Sequence, residues 1–260
     1  ALTKSDKTDT GRSLALKADL KRALAQNELE LYYQPKVDLT SLKVVGAECL
    51  LRWNHPLDGV LFPGPLIEAA ESYNMMSELG YWTLEQAFRA LAELDVLRIP
   101  IVLSVNISPT QLYDNQLVPT LTMLSQSYAM PLSLIELELT ESLFINDKDG
   151  IAQQINQLRE LGIAIAIDDF GTGYSNLREL KEFPCHILKI DKTFVSEMED
   201  GAIRSSLIPH IVGISKMIDV AIVAEGIEYG EQQAALIKLG IDYGQGYLFG
   251  KPMKPEYFRK

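Results

Sequence analysis

From residue 31 onward, short apolar runs of strand length take turns with stretches whose apolar residues recur every three or four positions. The runs are Leu31–Asp38, Val44–Trp53, Ile101–Ser108, Ile135–Ser142, Ile163–Phe170, His186–Asp191, Ala221–Glu228 and Tyr243–Gly250. Helical patterns fill most gaps, over Pro65–Leu79, Thr83–Glu93, Leu117–Tyr128, Asp149–Leu161, Arg204–Ile218 and Glu231–Leu239. Strands that alternate with helices predict a parallel sheet with crossover helices. Eight such units in about 230 residues suit a closed (β/α)8 barrel, which runs to ~250 residues; an open doubly wound sheet is the alternative. One connection breaks the pattern. Only a few residues around Thr40-Ser41 join the first two runs, whereas a parallel crossover needs about a dozen. The first strand is therefore expected to run antiparallel to the second. The predicted fold is α/β, a modified (β/α)8 TIM-like barrel with an antiparallel first strand.

Residues 1–12 are polar and aperiodic and read as a linker or disordered segment, with one folded domain over 13–260. Ser13 is placed to cap a helix carrying Leu16, Leu20, Ala23 and Leu24 on one face. The chain starts Ala1-Leu2-Thr3-Lys4, without an initiator Met or signal segment, and is expected to be a piece of a longer protein or a processed end.

Composition narrows the function classes. Hydrophobic residues make up 47%, enough for a sizeable core, yet no window approaches the run of about 18 apolar residues that a membrane span needs, so no membrane contact is expected. Acids outnumber bases 35 to 24, a net charge of −11, which argues against a basic stripe for duplex nucleic acid. Cys49 and Cys185 lie in or beside strand runs and read as small buried thiols in a reducing, cytoplasmic setting.

The acids do not fall at random. Chemistry in such barrels sits at the C-terminal strand ends. There the second run offers Glu48 and Arg52, the third Asn106, the fourth Glu138 and Glu141, and the fifth Asp168 and Asp169. The sixth offers Lys189 and Asp191, and the seventh Glu225 and Glu228. Any one acid could simply cap a helix or pair with a surface base. Several carboxylates gathered at one mouth would repel one another at high cost unless divalent cations were present. Adjacent strand residues point opposite ways, so Asp168 and Asp169 share the mouth only where the chain is leaving the strand. Asp168 would then be placed to bridge two ions. Oxygen donors without a His or Cys pair suit Mg2+, Mn2+ or Ca2+ and disfavour zinc. His55 lies in a turn and is expected to face solvent; His186 and His210 show no partner pattern. Lys189 is a counter-ion to the acids, a contact for a reacting water, or a Schiff-base lysine. Neighbouring carboxylates, which keep an amine protonated, argue against the last.

Further motifs complete a resemblance. They are Tyr33-Gln34-Pro35, Glu48-Cys49-Leu50-Leu51-Arg52-Trp53, Val105-Asn106-Ile107-Ser108 and Glu138-Leu139-Thr140-Glu141-Ser142. Then come Asp168-Asp169-Phe170-Gly171-Thr172-Gly173-Tyr174-Ser175, Leu188-Lys189-Ile190-Asp191, Ala224-Glu225-Gly226-Ile227-Glu228 and Gln245-Gly246-Tyr247. From about Leu31 to Tyr257 the chain resembles the EAL-domain phosphodiesterases, which cleave the bacterial second messenger cyclic di-GMP. The resemblance implies that Glu48, Asn106, Glu138 and Asp168 bind one metal ion, and Asp168, Asp169 and Glu225 a second. It implies catalytic roles for Lys189, which contacts the reacting water, Glu225 and Glu48. Glu141 would steady the loop after Asp169, which also contributes to a homodimer contact. Gln34, Arg52, Asp191, Glu228 and Gln245 would line the dinucleotide pocket.

The implied cofactors are two Mg2+ or Mn2+ ions, with Ca2+ inhibitory, and the implied product is linear pGpG. The resemblance leaves room for sensory or GGDEF-type domains in the parent chain. The family's Glu-Ala-Leu reads Glu-Cys-Leu here; alternation turns Cys49 away from Glu48, where a small thiol is tolerated. The alternative function is a catalytically silent cyclic di-GMP receptor or protein-interaction module, a reading usually signalled by a missing ligand, and every ligand position here is filled.

Overall fold

The computed structural model describes residues 18–72, 74–140, 148–171, 185–200 and 207–260. The expected linker over 1–12, the cap at Ser13 and the loop residue Glu141 lie outside the described residues.

A helix over 18–25 (α1) leads into β1 (Leu29–Asp38) and β2 (Val44–His55). Between them, Asp38 Oδ1 accepts hydrogen bonds of 2.8 Å from the Thr40 and Ser41 amides, and Leu42 adopts a left-handed φ of 57°. This tight turn makes β1 and β2 antiparallel, with Gln34 opposite Glu48. A short β3 (Gly59–Leu61), not evident in the apolar pattern, folds back on β2. Next come α2 (Gly64–Ser72), α3 (Met76–Val96), β4 (Val102–Asn106), α4 (Pro109–Leu112), α5 (Leu117–Tyr128), β5 (Ile135–Thr140) and α6 (Lys148–Glu160). The chain continues through β6 (Ala164–Phe170), β7 (Ile187–Ile190), α7 (Lys192–Ser196), α8 (Ile208–Ile218), β8 (Ala221–Ala224), α9 (Gly230–Leu239), β9 (Tyr243–Gln245) and α10 (Pro255–Phe258).

Among the described residues the strands form one sheet in the order β1-β9-β8-β7-β6-β5-β4-β2-β3, and a further β1–β2 pairing closes it. Eight strands make the barrel, with β3 appended to β2. The barrel strands are parallel except β1, which is antiparallel to both β2 and β9. Closure rules out the open-sheet alternative.

Several boundaries differ from the pattern. The expected helices over 65–79 and 83–93 are cut elsewhere: the break falls at Asn74, whose φ is 54°, and residues 76–96 form one helix. Thr83 lies inside that helix, and its hydroxyl donates to the Leu79 carbonyl one turn back, at 2.9 Å. Several strands also stop earlier than expected, although β2 runs on to His55. Ser108 leaves β4 to cap α4, accepting from the Gln111 amide at 3.2 Å. Gly226, at φ 71°, turns the chain beyond β8.

The alternation inside the strands is inverted relative to a simple globule. In β5, Ile135, Leu137 and Leu139 belong to the apolar core shared with the helices, while Glu136 and Glu138 are the buried polar residues between them. Leu103 and Val105 of β4, Ile165 and Ile167 of β6, and Leu188 and Ile190 of β7 join that outer core. Phe88, Leu84, Ala87, Leu91 and Leu94 of α3 supply its helical side at three- and four-residue spacing. Apolar residues thus hold the helical shell to the barrel, and its interior carries buried polar side chains, with Ala166 and Val223 among them. No helix among the described residues is long and apolar enough to cross a membrane.

Candidate active site

Lys189, on β7, is completely buried and sits at the centre of the polar interior. Its Nζ lies 2.8 Å from Glu138 Oε2 and Glu225 Oε1, 3.4 Å from Glu48 Oε2 and 4.0 Å from Asp168 Oδ1. Glu48 accepts further hydrogen bonds from Asn106 Nδ2 at 3.0 Å and Gln245 Nε2 at 2.5 Å. Gln245 Nε2 also donates to Gln34 Oε1 at 3.0 Å. Side chains from β1, β2, β4, β5, β7 and β9 therefore meet in one layer, joined by Glu225 from the loop after β8.

The paired aspartates reach this layer through a local irregularity. Between Ile167 and Phe170 the β6–β7 register slips by one residue, and Asp169 takes a left-handed φ of 55°. The extra residue is a bulge, and it lets Asp168 and Asp169 share a side instead of alternating. Carboxylate oxygens of Asp168, Asp169 and Glu225 come within 4.8 Å of one another.

The electrostatics follow from burial. Burial alone would discharge Lys189, but Glu138, Glu48, Glu225 and Asp168 around it hold its pKa well above the usual value. Burial also opposes the Glu48 carboxylate, yet Lys189, Asn106 and Gln245 overcome it and hold the carboxyl at about 2. The remaining acids are pushed the other way. Glu138 is raised by burial and the Glu48 charge, Glu225 to about 7 by burial with Asp168 and Glu48 nearby, and Asp169 to about 6 by burial, Asp168 and Asp191. One ammonium cannot neutralise five carboxyl groups.

The donor set fits divalent cations. Glu138 Oε1 and Gln245 Oε1 are buried acceptors with no hydrogen-bond partner among the described residues. Buried acceptors left unpaired are costly. Oxygen donors of this kind, beside an excess of carboxylates, are what hard divalent cations take as ligands.

Above this layer a cleft of about 350 Å³ is lined by Gln34, Asp191, Glu228 and Gln245, together with Glu48 and Glu225. Asp191 also caps α7, accepting from the Thr193 amide at 2.8 Å and its hydroxyl at 2.6 Å. Arg52 does not line this cleft. Its guanidinium lies against the Phe62 ring at 4.9 Å and the Tyr32 ring at 5.5 Å, because the β2–β3 hairpin brings Phe62 over the end of β2. His55 is also not where its turn suggested. It is 13% exposed, its ring meets Trp53 edge-on at 4.8 Å, and Nδ1 accepts from the Leu57 and Asp58 amides at 3.2 Å. Cys49 and Cys185 are both buried, as expected.

The cleft adds Leu50, Lys192 and Tyr247, to which sequence reasoning assigned no role. Leu50 follows Glu48 by two positions and so shares its side. Lys192 had no such signal: it faces the cleft because Gly226 packs against it, where a Cβ would overlap that of Lys192.

The model of the EAL domain family matches residues 17–252. The chain belongs to the EAL domain family. This EAL domain is 37% identical over 241 residues to the cyclic di-GMP phosphodiesterase RocR of Pseudomonas aeruginosa, covering 93% of this chain and 62% of RocR. To the cyclic di-GMP phosphodiesterase PdeR of Escherichia coli it is 34% identical over 247 residues, covering 95% of this chain and 37% of PdeR. Among solved structures it matches the PaMucR phosphodiesterase in complex with c-di-GMP with a TM-score of 0.88 at 36% identity, covering 94% of this chain and 99% of that one. The EAL domain thus spans less than two thirds of the curated relatives' length.

Proposed function

We propose that this EAL domain hydrolyses cyclic di-GMP to linear pGpG in bacterial second-messenger signalling, using two divalent cations. The observation that carries the reading is the buried acid layer around Lys189, with more carboxylates than one ammonium can balance and two acceptor oxygens left over. The names of RocR and PdeR, and the nucleotide in the PaMucR complex, support the choice of substrate.

Glu48, Asn106, Glu138 and Asp168 would hold one Mg2+ or Mn2+ ion, and Asp168, Asp169 and Glu225 the other. When bound, such a pair activates water and offsets the charge that builds on phosphate. Lys189, kept protonated, holds Glu138 and Glu225 in place and is aimed at the region between the two ligand groups, where it would orient the attacking water. In the reaction the water oxygen bonds to phosphorus, the P–O3′ bond breaks and the 3′ oxygen takes a proton. The ring opens with a 5′-phosphate at one end. Gln34, Asp191, Glu228 and Gln245 would contact the dinucleotide along the cleft. Arg52, poised on two aromatic rings at the barrel rim, would reach it from the side.

Ca2+ is expected to suppress turnover, since its larger and looser coordination shell misplaces the reacting groups. A homodimer through the loop after Asp169, with Glu141 steadying that loop, remains a proposal; residues 141–147 and 172–184 are outside the described residues. A cytoplasmic location and further domains in a longer parent chain belong to the same reading.

The test is incubation of the purified chain with cyclic di-GMP and Mg2+, with products separated by chromatography. Linear pGpG supports the proposal. Stoichiometric nucleotide binding without product would overturn it in favour of a receptor.

A further inference from the structure

A second polar layer lies beneath the acids, one step toward the N-terminal end of the barrel. Lys36 is 5% exposed, Glu136 3% and Ser104 0%. Lys36 Nζ donates to Ser104 Oγ at 2.9 Å and to Glu136 Oε1 at 2.8 Å, and Ser104 Oγ donates to the same carboxylate oxygen at 2.8 Å. These residues belong to β1, β4 and β5, and β2 runs between the first two. Opposite Lys36 in the β1–β2 register stands Gly46. A Cβ there would come within 2.7 Å of the Val102 carbonyl oxygen, so β2 carries no side chain at this level. Lys36 can therefore cross β2 inside the barrel and reach the two strands beyond it.

The proposed reaction uses none of these three residues. A buried ion pair is also a weak source of stability, because well-packed apolar residues of similar volume usually serve as well or better. The register supplies a different role. Two residues nearer the mouth, the same three strands carry Gln34, Asn106 and Glu138. Asn106 and Glu138 belong to the acid layer's proposed cation ligands, and Gln34 is tied to Glu48 through Gln245.

We infer that Lys36 is a positioning residue that braces β1, β4 and β5 from inside the barrel and so sets the spacing of the ligands for one of the two cations. The inference rests on the cation reading above.

The test compares the wild-type chain, Lys36→Met, and the double variant Lys36→Met with Glu136→Leu. Mn2+ binding is read by titration calorimetry without nucleotide, and stability by urea unfolding in chelator. Lys36→Met leaves Glu136 unpaired and is expected to lose both stability and Mn2+ affinity. The double variant leaves no unpaired charge and recovers stability, yet its affinity at one of the two sites stays about tenfold low, the scale seen when groups supporting metal ligands are removed. Wild-type Mn2+ affinity in the double variant overturns the brace. Should both variants unfold, Ser104→Ala removes one arm alone; a smaller loss in the same direction supports the brace, and unchanged affinity overturns it. A wild-type chain that binds no Mn2+ overturns the cation reading and the brace together, and is distinguished by the wild type itself failing.

Discussion

Lys189 Nζ and Glu138 Oε2 sit 2.8 Å apart, and neither side chain reaches solvent. Glu138 is bonded through only one of its oxygens; the other has no partner among the described residues. The lysine thus meets part of the demand of the acid layer, and the arrangement has room for positive charge that the chain does not provide.

Removing that ammonium should expose the imbalance. Lys189→Met is expected to cost about 3–5 kcal/mol in chelator, as for other buried pairs that lose one partner. Saturating Mn2+ should restore part of it. Urea midpoints with and without metal test this, and a variant as stable as wild type in chelator would show that Lys189 is not the counter-ion of the layer.

Asp168 is shared by both proposed ligand sets. Asp168→Asn is expected to reduce turnover of cyclic di-GMP on the order of a hundredfold or more, a loss typical of removing one transition-state stabiliser, with circular dichroism unchanged. Turnover at the wild-type rate would rule out the assignment of both ions.

The raised acids make metal stabilisation depend on pH. In the metal-free domain Glu225 titrates at about 7 instead of 4.5, and Asp169 at about 6 instead of 3.8. A carboxyl raised by folding binds its proton more tightly when folded. It therefore destabilises the fold progressively as pH rises from its unfolded value to its folded one. His186, lowered by burial and Arg159, contributes a slope of opposite sign, so the useful quantity is the difference made by metal. Saturating Mg2+ should raise the unfolding midpoint more at about pH 7 than at about pH 5. A Mg2+ effect that is flat across this window would contradict the raised carboxyls.

Two glycines should respond oppositely to alanine. At Gly246 a Cβ would overlap the Ile227 backbone, and the neighbouring Gln245 holds Glu48. Gly246→Ala is expected to cost about 1–3 kcal/mol through overpacking and to weaken nucleotide binding. Gly213, within α8, has open space where its Cβ would stand. Gly213→Ala should stabilise by about 0.5–1 kcal/mol through helix propensity. Thermal unfolding of the two variants provides the check.

Local pattern reached far into this fold. Alternation and helical spacing located the eight barrel strands, and the shortness of the Thr40-Ser41 connection was enough to reverse β1, because chain length limits what two strands can do. The motif residues also marked which chemistry to look for, since oxygen donors toward the C-terminal ends of strands carry their own preference for cations.

What remained hidden depended on contacts between distant segments. Adjacent Asp168 and Asp169 point the same way only because β6 bulges against β7. Arg52 rests on Phe62 because a hairpin invisible in the apolar pattern folds back over β2. Lys36 reads as an ordinary strand residue until closure of the sheet places it beside Ser104 and Glu136, 68 and 100 residues away. Periodicity reports which side of an element a residue occupies; only barrel closure and register decide what faces it there.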